Sequence, residues 1–232
     1  MRTFYSIVLL LLMSTFSLAQ SETQDLHDSS KWKKDIAKFE IADTEAPSPK
    51  NAILFVGSSS IRLWDLKASF PDFVTINRGF GGSQLADSVQ YSDRIVLNHK
   101  PKTIVMYAGD NDINAGKSPE RVFADFAEFV AIVQKSLPET TIHFVAIKPS
   151  IKRWKLADQN RKANHYIATY CGLNDKLFYV DIDKPMIGED GKPMVDLFVK
   201  DGLHMSDKGY KIWKSVLLES FKKPGGIPKM KK

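Results

Sequence analysis

The 232-residue sequence contains a single cysteine, Cys171. One thiol excludes a disulfide framework within the chain and any metal site built on several cysteines. Thirteen Gly and 11 Pro show no period, which excludes fibrous classes. No hydrophobic run is long. The longest, Ile7 to Leu12, thins through Met13, Phe16 and Leu18 and is too short to cross a bilayer comfortably. Hydrophobic residues make up 43% and charged residues 26%, enough apolar content for a core and too much for a chain disordered throughout. The formal charge of +6 is no pointer to nucleic acid, because the surplus sits at the two ends. Arg2 is the only charge in residues 1–19, and five Lys with no acid lie between Lys222 and Lys232. The body between them is neutral, whereas a nucleic-acid surface needs its surplus on the folded face.

The first segment reads as an address. Arg2, the apolar run and Ala19 before polar Gln20-Ser21-Glu22 have the order of an export signal. The expectation is a signal peptide over 1–19, a periplasmic or secreted protein, and no stable membrane insertion after cleavage. Cys171, at a helix end before Gly172, then reads as a buried thiol.

The remainder alternates apolar strands with amphipathic helices. Trp32, Ile36 and Phe39 predict a lead helix over 30–40, and Ala46-Pro47-Ser48-Pro49 a linker, so that 20–50 precede the main unit over 51–222. Strands are predicted at Ile53–Val56, Phe73–Ile76, Thr103–Tyr107, Thr141–Ile147 and Leu177–Val180. Helices are predicted from Ser118-Pro119, around 155–171, and from Ser206. The first has an apolar face of Val122, Phe126, Val130, Val133 and Leu137; the last buries Trp213, Val216, Leu217 and Phe221. Residues 223–232 are expected to form a basic, flexible tail. Continuous apolar strands between helices imply a five-stranded parallel sheet covered on both faces, a three-layer α/β/α sandwich. In such sheets the active site gathers beyond the carboxyl ends of the strands.

Four strand-end segments stand out there: Gly57-Ser58-Ser59-Ser60, Asn77 to Gly82, Gly109-Asp110-Asn111-Asp112 and Asp201-Gly202-Leu203-His204. Each alone is an ordinary turn; together they hold what acyl transfer requires. A serine hydroxyl needs a base, and His is tuned for that near neutrality. His204 needs an orienting acceptor, which Asp201 can supply from three residues away. The developing oxyanion needs donors, available from the N–H of Ser59, an N–H at Gly82 and the Asn111 carboxamide.

These blocks, in this order, resemble the SGNH (GDSL-like) hydrolases over about residues 51–222, and the Asn77–Gly82 loop resembles the platelet-activating-factor acetylhydrolase branch. The resemblance implies a flavodoxin-like sheet and ester hydrolysis without metal or organic cofactor. It implies Ser59 as nucleophile, Asp201 and His204 as its partners, and Ser59, Gly82 and Asn111 as oxyanion hole. One block departs: the usual Gly-Asp-Ser is Gly57-Ser58-Ser59 here, with a hydroxyl where the family carries a supporting carboxylate. Counting from Gly57 selects Ser59; Ser60 is the fallback.

Other motifs fail on their own residues. Gly116-Lys117-Ser118 lacks the partner glycine of a phosphate loop, and Gly79-x-Gly81 is followed by Gln84 where a dinucleotide fingerprint needs glycine. Asp110, Asp112 and Asn114 lack a calcium loop's turn glycine and closing acid. Arg62, Arg78, Arg153 and Trp154, with Trp64, are placed near the predicted face, where arginine suits a substrate anion and tryptophan a sugar ring. The expected substrate is a small-molecule or saccharide ester with a short acyl group, acetyl first. The alternatives are a lipid deacylase or thioesterase, and a non-catalytic binding module on the same fold.

Overall fold

The computed structural model describes residues 27–49 and 52–226. The expected export signal and the tail beyond 226 lie outside the described residues.

Five parallel strands, β1 (Ile53–Gly57), β2 (Thr75–Gly79), β3 (Thr103–Tyr107), β4 (Thr141–Val145) and β5 (Leu177–Val180), pair in the order β2-β1-β3-β4-β5. Side chains alternate between the two faces, and both faces are apolar. Leu54, Val56, Ile104, Met106, Ile142 and Phe144 enter one core, and Ile53, Phe55, Val105, Tyr107 and Val145 the other. The first core is covered by helices α1 (Lys33–Glu45), α4 (Leu85–Gln90), α5 (Ser92–Ile95), α7 (Pro119–Ser136) and α8 (Ala157–Cys171). The second lies beneath α2 (Ser59–Arg62), α3 (Leu66–Ser69) and α9 (Asp207–Lys222), whose Trp213, Leu217 and Phe221 are buried. A further short helix, α6 (Asp110–Asn114), follows β3. This is the flavodoxin-like strand order, with its switch point between β1 and β3. The caps read from sequence are present: Ser118 Oγ accepts the Arg121 N–H at 3.1 Å, and Ser206 Oγ that of Gly209 at 3.3 Å.

Several boundaries differ from the periodicity. β2 starts two residues later than expected, because Phe73 belongs to a turn. Its N–H bonds to Phe70 O at 3.0 Å and its ring packs on Phe70 and Phe221. β4 ends at Val145, where a side chain takes over the pairing: Ile147 N–H donates to Asn164 Oδ1 at 2.8 Å and Ile147 O accepts from Asn164 Nδ2 at 2.9 Å. The lead helix runs on to Glu45, since no helix breaker precedes Ala46-Pro47. Val216 is only half-buried on α9.

Candidate active site

β1 ends in a turn that only glycine permits. Gly57 has φ +131°, and a Cβ there would lie 1.9 Å from Tyr107 O. That close approach lets Ser58 N–H bond to Tyr107 O at 3.0 Å, and the chain turns straight into α2 with Ser59 as its first residue. Among the described residues the Ser59 N–H has no acceptor, as expected of a first-turn amide.

His204 reaches this turn from 145 positions along the chain: its Nε2 lies 3.1 Å from Ser59 Oγ. On its other side Nδ1 lies 2.6 Å from Asp201 Oδ2, while Asp201 Oδ1 accepts the N–H groups of Leu203 and His204 at 2.8 and 2.9 Å. Partial burial works against the Asp201 charge, but the hydrogen bonds from His204 and Leu203 outweigh it and hold the carboxyl well below the usual range. With a carboxylate on Nδ1, that nitrogen carries the proton and Nε2 faces Ser59 as an acceptor. The loop is pinned by a bridge between Phe198 and the buried Met205.

The glycine loop comes alongside. Gly82 has φ +80°, and its α-carbon faces the Trp32 ring of the lead segment. Its N–H has no acceptor among the described residues. Asn111, in the first turn of α6, donates from Nδ2 to Ser83 O at 2.9 Å and accepts at Oδ1 from Arg153 Nη1 at 3.1 Å. Ser59 and Asn111, each in the first turn of a helix, and Gly82, Asp201 and His204, on loops, thus stand at one end of the sheet, around the switch point.

Beneath them lies a buried charge cluster centred on Lys148, a residue that no sequence motif marks. Lys148 Nζ donates to Tyr107 Oη at 2.8 Å and Asp110 Oδ2 at 3.0 Å, and lies 3.4 Å from Ser60 Oγ. Arg153 Nη1 stands 2.9 Å from Asp110 Oδ1, off the axis of a linear hydrogen bond. Burial alone would lower the Lys148 pKa, but Asp110 and Tyr107 raise it above that of a free lysine. Burial likewise opposes the Asp110 charge, and the two cations hold its pKa below the ordinary value. A signal was present: the segment after β4, Lys148-Pro149-Ser150, leaves its strand on the same edge as the other four blocks.

The remaining expected residues separate. Ser60 is buried beside a charged lysine, which cannot act as its base. Arg78 is not placed for substrate. It is buried on β2, where its guanidinium pairs with Asp43, donates to His99 Nε2 at 3.2 Å and Asn77 O at 2.9 Å, and covers the Phe39 ring. The lead helix takes up that charge. Trp64 is buried against Tyr210, with ring centroids 5.2 Å apart. Arg62 is exposed with its guanidinium against Gly81, and Trp154 is half-buried beneath Arg161.

Fold and site together define an α/β/α protein whose polar side chains converge beyond the carboxyl ends of a parallel sheet. The chain matches the family model of the GDSL-like lipase/acylhydrolase family over residues 62–212. It belongs to that family and is an ester hydrolase by that membership. The matched span holds Gly82, Asn111, Asp201 and His204; Ser59 lies just before it. No curated protein matches the chain. Among solved structures, one from Streptococcus pneumonia, described as a candidate platelet activating factor, is similar at 18% identity. It aligns with a TM-score of 0.73 over 92% of this chain and 98% of its own. A GDSL-like lipase from Bacteroides thetaiotaomicron aligns with a TM-score of 0.68 at 18% identity, over 80% and 96%. A Geobacillus stearothermophilus acetyl-xylooligosaccharide esterase aligns with a TM-score of 0.62 at 14% identity, over 75% and 94%.

Proposed function

We propose that the protein is an exported serine esterase that removes short acyl groups, acetyl first, from a carbohydrate or similarly polar ester. The observation that carries this is the unbroken chain from Asp201 through His204 to Ser59, at 2.6 and 3.1 Å.

In this reading Ser59 Oγ attacks the ester carbonyl as His204 Nε2 takes its proton. Asp201 keeps Nδ1 protonated and stabilises the imidazolium. The oxyanion meets the N–H groups of Ser59 and Gly82 and the free N–H of the Asn111 carboxamide. One such donor typically contributes about 3–4 kcal/mol in the transition state. His204 returns the proton to the leaving alcohol, giving an acyl-Ser59. Water, deprotonated by the same nitrogen, then attacks the acyl carbonyl, and His204 returns that proton to Ser59 Oγ as the acid leaves.

Export rests on the order of charge, apolar run and small residue over 1–19. Among the described residues no helix is long and apolar enough to cross a membrane. A saccharide substrate is supported by the likeness to a fold neighbour described as an acetyl-xylooligosaccharide esterase. A second reading, deacylation of longer acyl chains, draws on the exposed Leu63, Ile151 and Val199, each on a segment that borders the site. Comparing acetyl with octanoyl aryl esters separates them. The short-acyl reading expects a higher kcat/KM for acetyl, and faster octanoyl turnover contradicts it. Acetate release from acetylated oligosaccharides tests the polar scaffold. A folded protein inert to every ester would leave the binding-module reading.

A further inference from the structure

We infer that Arg153 is a positioning residue: its guanidinium, seated on Asp110, locks the Asn111 carboxamide so that its N–H groups face Ser83 and the oxyanion site. This rests on the proposed role of Asn111.

A carboxamide can be turned over with little change in shape, exchanging its oxygen and nitrogen. Only one orientation serves an oxyanion, the one with Nδ2 inward. Two neighbours dictate it here. Arg153 Nη1 lies 3.1 Å from one end of the amide, and a guanidinium can only donate, so that end must be oxygen. Ser83 O lies 2.9 Å from the other end, and a carbonyl can only accept, so that end must be nitrogen. The inverted amide would set donor against donor and acceptor against acceptor. Ser83 O uses one Nδ2–H, and among the described residues the second has no acceptor.

The arginine is itself held. Its side chain is 13% exposed, and Nη1 stands 2.9 Å from Asp110 Oδ1. The other oxygen of Asp110 accepts from Lys148, which is anchored on Tyr107. Arg153 leaves the chain just before the turn at Trp154–Leu156, whereas Asn111 lies on α6. The contact therefore joins the ends of β4 and β3. It also gives Arg153, one of the residues expected to meet substrate, a partner for Nη1 within the protein.

The test is a double-mutant cycle on an aryl acetate, with Arg153→Met, Asn111→Ala and the double variant, each checked for folding by circular dichroism and melting. Asn111→Ala is expected to lower kcat roughly 10²–10³-fold with KM little changed. Arg153→Met is expected to lower kcat roughly 10–100-fold with KM held, the range found for hydrogen-bond partners that orient metal ligands. In the Asn111→Ala background the same substitution is expected to cost less than about threefold, because the amide it orients is gone. Arg153→Lys keeps a donor and is expected to recover part of the loss; it carries the cycle if the methionine variant does not fold. An equal loss in both backgrounds, a loss confined to KM, or no loss overturns the inference while leaving Asn111 in place. An Asn111→Ala variant with full kcat would refute the oxyanion reading, and this inference with it.

Discussion

Asp112 holds Leu85: both carboxylate oxygens accept the Leu85 N–H, at 3.1 and 3.2 Å, and Lys117 Nζ approaches Oδ1 at 3.2 Å. The last residue of the Gly-x-Asn-Asp block therefore fixes the first turn of the helix that follows the glycine loop. Both strand-end segments are tied together just behind Asn111 and Gly82. Asp112→Ala leaves a buried N–H unpaired, at about 1–3 kcal/mol. At this chain length that corresponds to a fall in Tm of roughly 2–4 °C for each kcal/mol. Because the loop also carries Gly82, kcat is expected to fall with it. Melting and ester kinetics on one preparation check both; a variant with native Tm and kcat contradicts the tie.

Gly82 offers a test confined to backbone geometry. Its φ of +80° is left-handed, and an added methyl would meet only the Trp32 ring, at an ordinary 3.5 Å. Space is therefore not the obstacle; the left-handed conformation is, at about 1–2 kcal/mol for a residue with a Cβ. Gly82→Ala is expected either to keep the loop at that cost or to relax it and turn the N–H away. In both cases stability or kcat falls, and an unchanged variant would contradict the need for glycine here.

Lys148 and Asp110 form a buried ion pair. Lys148→Met leaves Asp110 with only the misaligned approach of Arg153. Removing one partner of such a pair typically costs about 3–5 kcal/mol, and the remaining arginine places the expectation at the lower end. Urea unfolding measures it. A loss below about 1 kcal/mol would mean that the pair is dispensable.

His143 sets part of the acid limit. It is fully buried, with Nδ1 2.8 Å from Ser220 Oγ and its ring stacked on Phe178 at 4.5 Å. Burial pushes its pKa from 6.5 down to about 3. The unfolded chain therefore takes up a proton below 6.5 that the folded chain refuses. Its contribution is intact above 6.5 and is lost as pH falls, by about 1.4 kcal/mol per pH unit until about 3. Unfolding free energies between about pH 7 and pH 4.5 are expected to slope downward with acid. His143→Leu is expected to remove that increment of slope whatever its effect at neutral pH. An identical slope in the variant contradicts the assignment.

What could be read from sequence follows physical range. β1 and β3 were legible because Ile53–Val56 and Ile104–Tyr107 are apolar without interruption, and buried parallel strands demand that. The residues at their ends followed from the sheet rule. Phe73 and Val74 carry the same local signal, yet Phe73 packs from a turn onto Phe221, far along the chain. Asp201 and His204 were legible because their bond is local, three residues apart. Arg78 was not, because its partner Asp43 comes from the lead helix. Lys148 was missed because a lysine after a strand ordinarily faces water. Only the folded arrangement brings Asp110, 38 residues earlier, to meet it.

The proposed mechanism requires Ser59, rather than the adjacent Ser60, as the nucleophile. Reaction with a fluorophosphonate probe, followed by peptide mass spectrometry, distinguishes the two. One adduct is expected, on Ser59, absent in Ser59→Ala and retained in Ser60→Ala. A folded native protein that stays unlabelled, or an adduct carried by Ser60, would rule that mechanism out.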